Sequence, residues 1–306
     1  MKKLILLLAL IMVAGLAWMF LPWRGAAPDI DMVGDAEQGK YVLHMGGCIA
    51  CHTDEKNGGA FLAGGRALKT DFGTFYSSNI TPDPEAGLGG WSVGDFVRAM
   101  KEGLSPSGQH YYPAFPYPSY TKMTVQDLVD LKAYLDSVEP VADEVRDHEL
   151  GFPFSIRPIL AGWKMLFFDE TPFEPDPDQS ASWNRGAYLV QGPAHCGECH
   201  SPRNILGGPD HARFLGGNPV GAEGKAVPNI TPHEDGIGNW SAADIAFALE
   251  SGLTPDYDSF GSGMGEVVDD STSQLTKEDR DAMAEYLLSL PAIASKATVK
   301  TEVAPE

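Results

Sequence analysis

All four cysteines of this 306-residue chain fall in two short runs, Cys48-Ile49-Ala50-Cys51-His52 and Cys196-Gly197-Glu198-Cys199-His200. Two residues between the cysteines let one helical turn present both sulfurs to one edge of a porphyrin. Each sulfur can then add across a haem vinyl group to form a thioether. The histidine that follows faces the iron and binds it from the proximal side. A lone Cys-x-x-Cys is open to other chemistry: a disulfide, a thioredoxin-like dithiol or a zinc site. A histidine directly after each pair, twice, behind an export-type amino terminus, favours haem. The expected cofactor is two covalently bound haem c groups. Cys48, Cys51, Cys196 and Cys199 are the attachment points, and His52 and His200 are the proximal iron ligands.

A six-coordinate haem also needs a distal ligand, usually a methionine late in the domain. A thioether is neutral and soft, favours Fe(II) and raises the potential. In the second half the candidate is Met264, expected in a loop, Phe260-Gly261-Ser262-Gly263-Met264-Gly265, before the last helix. Met283, on that helix, reads as core. In the first half Phe115 stands where Met264 does, and phenylalanine cannot ligate iron. Met123 is the favoured candidate there. His110, Met100 and an open iron are the alternatives.

The elements that must position these groups repeat at an offset of about 150 residues, which reads as two homologous domains of about 110 residues each. Asn79-Ile80-Thr81-Pro82 returns as Asn229-Ile230-Thr231-Pro232, and Gly90-Trp91-Ser92 as Asn239-Trp240-Ser241. Each half reads as three principal helices with long loops. One helix runs from near Ala36 (or Asn184) into the haem run. The next follows the N-cap Ser92 (or Ser241), and the last follows Thr124 (or Thr276). No strand pairs are expected. So few helices bury little apolar surface, and a haem in each half would fill the core. The expected fold is all-α: two tandem class I cytochrome c domains behind a transmembrane helix. The expected boundaries are an anchor at 1–24, a linker at 25–34, domains at 35–138 and 184–294, a strap at 139–183 and a tail at 295–306. The strap is expected to pack across both domains, with a short helix from Ile156. Asn79, Trp91, Asn229 and Trp240 are candidate donors to haem propionates, and Arg66, Arg185 and Arg203 candidate countercharges. Turn geometry and ordinary packing are the competing account of all seven. His44, His148, His195, His211 and His233 read as surface or loop residues.

After Lys2 and Lys3 the run from Leu4 to Trp23 carries no charge. As a helix of 20 residues it would be about 30 Å long, enough to cross a bilayer. No small-x-small cleavage site follows, so an uncleaved signal-anchor is expected. The positive-inside rule then places the haem domains in the periplasm of a bacterial inner membrane. A composition of 43% hydrophobic and 21% charged residues is that of a folded chain. A formal charge of −20 argues against nucleic acid as a partner and is compatible both with docking onto a basic redox protein and with simply keeping the chain soluble.

The paired Cys-x-x-Cys-His runs, both Asn-Ile-Thr-Pro loops with a Trp-Ser downstream, and Tyr112-Pro113-Ala114-Phe115-Pro116-Tyr117 through Lys122-Met123 carry a resemblance. Over residues from Ala36 to Pro291 the chain resembles the cytochrome c subunits of membrane-bound alcohol, gluconate and fructose dehydrogenases. The resemblance implies an electron-transfer protein rather than an enzyme. Its donor would be a dehydrogenase, and its acceptor an oxidase, a quinone or another cytochrome. Those subunits often carry three haem runs, and this chain has two. Many read Ala-Met-Pro-Tyr where this one has Ala114-Phe115-Pro116-Tyr117. The related form with phenylalanine and a downstream Lys-Met-Thr fits Met123 as the ligand. The competing reading is a dihaem peroxidase with an open iron in the first domain.

Overall fold

Asp35 opens the first helix. Its carboxylate accepts hydrogen bonds from the Glu37 and Gln38 amides, and α1 runs Ala36–Met45. The computed structural model describes residue 15, residues 25–221 and residues 225–294. The first haem run forms α2 (Cys48–His52). Ser92 and Asp95 cap each other reciprocally to start α3 (Val93–Glu102). The one-turn α4 (Tyr117–Tyr120) follows, and Thr124 caps α5 (Val125–Leu135). The helix expected from Ile156 is α6 (Ile159–Phe167). The second half repeats the scheme with α7 (Ala181–Gln191), α8 (Gly197–His200), α9 (Ala242–Ser251), α10 (Ser262–Asp270) and α11 (Lys277–Ser289). Ser241 with Asp244, and Thr276, supply the matching caps.

The first and last principal helices of each half cross at a glycine. A Cβ on Gly39 of α1 would lie 1.9 Å from the Asp130 carbonyl oxygen of α5. A Cβ on Gly186 of α7 would lie 1.9 Å from the Ala282 carbonyl oxygen of α11. Any side chain there would push the helices apart, so both crossings depend on a missing Cβ. Around them Leu43, Leu128, Leu131, Leu189, Val190 and Met283 are fully buried. These residues belong to one apolar cluster that runs through both halves.

The halves meet through a reciprocal contact. The Tyr41 hydroxyl on α1 donates to Asp279 Oδ2 at 2.7 Å and accepts from the Thr276 amide at 3.0 Å, at the start of α11. The Tyr188 hydroxyl on α7 donates to Asp127 Oδ2 and accepts from the Thr124 amide at 3.2 Å, at the start of α5. Each half thus supplies a tyrosine to the amino-terminal turn of the other half's last helix.

Two expectations need correction. The fold is not all-α. β1 (Ala67–Thr70) and β2 (Gly73–Tyr76) form an antiparallel hairpin, in register Ala67↔Tyr76 to Thr70↔Gly73. The strap adds β3 (Glu149–Leu150) to its edge, in register Gly73↔Leu150 and Thr74↔Glu149. These strands are four residues or shorter, and β1 buries no face, so no period-2 pattern marked them. The membrane anchor, and with it the inner-membrane placement of the domains, is also corrected. Among the described residues no helix is long and apolar enough to cross a membrane. The longest described helix, α11, has 13 residues and spans about 20 Å, against the ~30 Å a bilayer core requires. The run from Leu4 to Trp23, on which the anchor rested, lies outside the described residues apart from residue 15, as does the tail from 295.

The strap is pinned rather than free. Lys164 on α6 donates through Nζ to the carbonyls of Glu102 and Gly103, the second at 2.9 Å, and lies 4.7 Å from the centre of the Tyr117 ring. It satisfies the open carboxyl end of α3 as a cation should. Burial pulls its pKa down to about 8. Trp163 Nε1 donates to the Leu206 carbonyl at 2.9 Å, so the strap also touches the second half.

Candidate haem attachment sites

Both runs fold as one helical turn ending in the histidine, and both histidines are oriented alike. His52 Nδ1 lies 2.6 Å from the Ser78 carbonyl, and His200 Nδ1 lies 2.8 Å from the Pro228 carbonyl. Each acceptor directly precedes the asparagine of an Asn-Ile-Thr-Pro loop, or comes just before it at the same place in the repeat. A backbone carbonyl at Nδ1 fixes the tautomer, leaves Nε2 as the lone-pair nitrogen and raises its basicity toward a metal. Burial lowers both imidazole pKa values, and the bond to the carbonyl opposes this.

The thiols discriminate between the chemistries open to a Cys-x-x-Cys. All four are free in the structure. Burial pushes the Cys48 and Cys196 thiols up to about 12, and raises Cys51 and Cys199 as well. A redox dithiol needs a depressed thiol pKa, so this environment does not serve one. Among the described residues no group of three or more His, Cys, Asp or Glu side chains is placed to hold a metal ion, which disfavours zinc. Two thiols on one turn, an imidazole with its far nitrogen held and a methionine in the surrounding cluster are the donor set that a covalent haem requires. The residues present fit that group.

The methionines differ in setting. Met123 is 2% exposed and sits just before the α5 cap. Its carbonyl accepts from Lys101 Nζ of α3 at 2.9 Å. Met264 is half-buried against the common core. It lies on α10 rather than in the expected loop, because Gly261 starts a nine-residue helix there. Phe115, its counterpart in the repeat, belongs to an aromatic nest with Tyr111, Tyr117 and Tyr120 at centroid distances of 5.5, 6.3 and 5.7 Å. Its ring is packing. His110 is held at the strap: its carbonyl accepts from Arg157 at 3.0 Å, and burial, aided by the Lys164 charge, lowers its pKa to about 4. Met100 is buried on α3.

The seven residues suggested for propionates divide. Asn79 Oδ1 accepts from the Thr81 amide and hydroxyl at 2.9 and 2.7 Å, while Nδ2 donates to the Val141 carbonyl at 2.7 Å. Asn229 does the same with Thr231, at 2.8 Å for both contacts, and with the Ile293 carbonyl at 2.6 Å. Both asparagines therefore tie their loop to the chain leaving the last helix, which is the turn-geometry account. Arg66 pairs with Glu266 at 2.5 Å and Arg203 with Glu198, each beside an attachment helix. Arg185 spans to Asp279 at 2.7 Å. Trp91 and Trp240 pack on the core.

Three of the histidines read as surface or loop residues make specific tertiary contacts. His44 Nδ1 lies 2.9 Å from the Asp270 carbonyl. His148 stacks against Phe75 and Tyr112 at 5.3 and 5.6 Å. His195 lies at the seam between the halves against Tyr120. No sequence pattern marks contacts between segments this far apart in the chain.

Tandem Cys-x-x-Cys-His turns, each with an anchored histidine, are the pattern of a c-type cytochrome. Comparison with known proteins agrees. The family profile for cytochrome c matches residues 36–139. The chain is 46% identical over 293 residues to a diheme cytochrome c-type protein of Cereibacter sphaeroides, covering 94% of this chain and 97% of that one. It is 40% identical to the cytochrome c subunit of the quinone alcohol dehydrogenase of Gluconacetobacter polyoxogenes, covering 87% of this chain and 58% of the relative. It is 39% identical to the fructose dehydrogenase cytochrome subunit of Gluconobacter japonicus, covering 84% and 53%. The chain spans a little over half the length of those two dehydrogenase subunits. The chain belongs to the cytochrome c family. It carries covalently bound haem c and is an electron-transfer protein rather than an enzyme.

Proposed function

We propose that the chain is a dihaem cytochrome that accepts electrons from a dehydrogenase and passes them to an oxidase, a quinone or another cytochrome. It is read as two cytochrome domains, 35–138 and 184–294, joined by the strap at 139–183. The observation that carries this reading is the repeated anchoring of His52 and His200 through Nδ1 to a loop carbonyl, since one such site would serve a monohaem protein. Haem iron supplies one-electron Fe(III)/Fe(II) chemistry when bound.

The chain's own residues do the rest. Cys48 with Cys51, and Cys196 with Cys199, hold the group covalently. His52 and His200 are neutral donors with fixed tautomers. Met123 and Met264 supply neutral thioethers that favour the reduced state. Met123 does so from a dry site, 2% exposed within the common apolar cluster. The dehydrogenase partner rests on the relatives, two of which are cytochrome subunits of such complexes.

The test uses the purified full chain. Haem content by pyridine haemochrome and intact mass is expected to give two covalent haems. Serine at both cysteines of either run is expected to leave one. A single haem in the unaltered chain sinks the dihaem reading. Fast reaction of the reduced protein with peroxide, or fast binding of cyanide to the mixed-valence protein, would point instead to an open iron in the first half.

A further inference from the structure

The two halves bring each attachment run against the other half, but with different side chains. Gly47, just before Cys48, faces the second half: a Cβ there would lie 3.7 Å from Ser271 Cβ. At the equivalent position His195 stands just before Cys196 and faces the first half. Its ring packs on Tyr120 with centroids 5.6 Å apart and planes at 73°. Tyr120 and Thr272 occupy corresponding places, each four residues before the threonine that caps the last helix. The residue before each attachment run therefore meets the other half, but on partners that do not match: Gly47 faces Ser271, and only His195 meets an aromatic ring.

The backbone makes His195 harder to dismiss as filler. Gly47 has φ +58° and His195 φ +39°. Both lie in the left-handed region, which glycine enters freely and histidine does not. A side chain retained where glycine would relieve the backbone needs a reason.

The contacts supply one. The Tyr120 hydroxyl donates to the Gly46 carbonyl at 3.3 Å. A Cβ on Gly46 would lie 3.2 Å from Cys48 Sγ. Tyr120 and His195 thus bridge the backbone just before Cys48 to the residue just before Cys196. Tyr120 is buried at 6% exposure. Ser119, its neighbour on α4, donates to Glu198 inside the second attachment run at 2.9 Å.

We propose that Tyr120 and His195 are positioning residues that lock the two attachment runs together and set the electronic coupling between the halves. This rests on the dihaem reading. One electron leaves the reduced centre of one half and arrives at the oxidised centre of the other. No bond forms or breaks, and neither side chain gains or loses a proton. The Gly47–Ser271 side has no aromatic contact and carries little of the coupling.

The experiment uses the full haem-loaded chain with His195→Gly, Tyr120→Phe and, on the quiet side, Ser271→Ala. Haem count is measured first, then melting temperature, then the rate of electron equilibration between the halves after photoreduction. His195→Gly is expected to keep two haems and its melting temperature, while the rate falls severalfold. Tyr120→Phe keeps the ring and is expected to slow the rate less. Ser271→Ala is expected to leave it unchanged. A haem-independent readout accompanies this: amide exchange over 46–48 and 195–197 rises in His195→Gly. An unchanged rate in His195→Gly with two haems present overturns the proposal and spares the dihaem reading. An equal loss in Ser271→Ala overturns it too, because the coupling is then not local. One haem in the unaltered chain overturns both.

Discussion

The two halves share a plan and differ where they touch. In each, a tyrosine of the first helix caps the last helix of the other half, and a glycine lets first and last helices cross. The differences lie around this frame. Tyr41 shares Asp279 with Arg185, which hydrogen-bonds that carboxylate, whereas Asp127 has Tyr188 but no arginine hydrogen bond, and Gln38 stands at the position matching Arg185. The first half buries its candidate distal methionine beside α5, and the second carries it half-exposed on α10. The shared contacts hold the architecture. The unshared ones are where the two halves can differ in what they do.

The largest effect should come from removing one haem. Cys48→Ser with Cys51→Ser is expected to cost the first half its haem and its cooperative unfolding transition, while the second half keeps its own. Intact mass and calorimetry read both. Loss of both haems together would mean the halves do not load independently. The methionines come next. Met123→Ala is expected to cost about 2–5 kcal/mol of stability, as truncation in a tight core does, along with a change of spin state at one haem. Met264→Ala is expected to change the spin state of the other haem for only about 1 kcal/mol, since its side chain is half in solvent. Denaturant midpoints and absorption spectra separate the two effects. Met123→Ala with an unaltered spectrum would remove Met123 from the ligand set.

What the sequence disclosed follows from how local each feature is. The attachment runs are five residues long and carry their chemistry in their spacing. The helix starts at Ser92, Thr124, Ser241 and Thr276 are local too, since a cap is a contact between residues three apart. The hairpin was missed because β1 and β2 alternate weakly and gain their third strand from residues 149–150. Met264 was placed in a loop because glycines at 261, 263 and 265 argue against a helix. Packing against the core overrides that propensity. Tyr120 and His195 were invisible as a pair. Nothing in either segment marks a partner 75 residues away, and only the repeat, with Gly47 opposite His195, hints that one histidine is out of place.

The tyrosine contacts allow a finer comparison. Tyr188→Phe strips Asp127 and the Thr124 amide of the hydroxyl they share. Tyr41→Phe leaves Asp279 its arginine. The first is expected to cost about 1–3 kcal/mol and the second about 1, the usual gap between orphaning a polar group and losing one bond of several. Equal losses in the denaturant midpoints would show that Arg185 contributes nothing at this seam.

The smallest expected effect is one of pH and belongs to Asp279 alone. Burial pushes its carboxyl pKa up, but hydrogen bonds from Arg185 and Tyr41 outweigh this and leave it below the ordinary value. A carboxyl with a depressed folded-state pKa stabilises the protein above its unfolded value, near 3.9. That contribution is lost as pH falls through the folded one. Asp279→Asn is therefore expected to lower stability at neutral pH and to flatten its decline below about pH 4. The difference should be about 1 kcal/mol or less, because the Arg185 side chain is 37% exposed and its charge is screened. Midpoints from pH 3 to 7 for both proteins test this. Parallel curves would mean that the carboxylate and its arginine fix the geometry of the seam without adding to its stability.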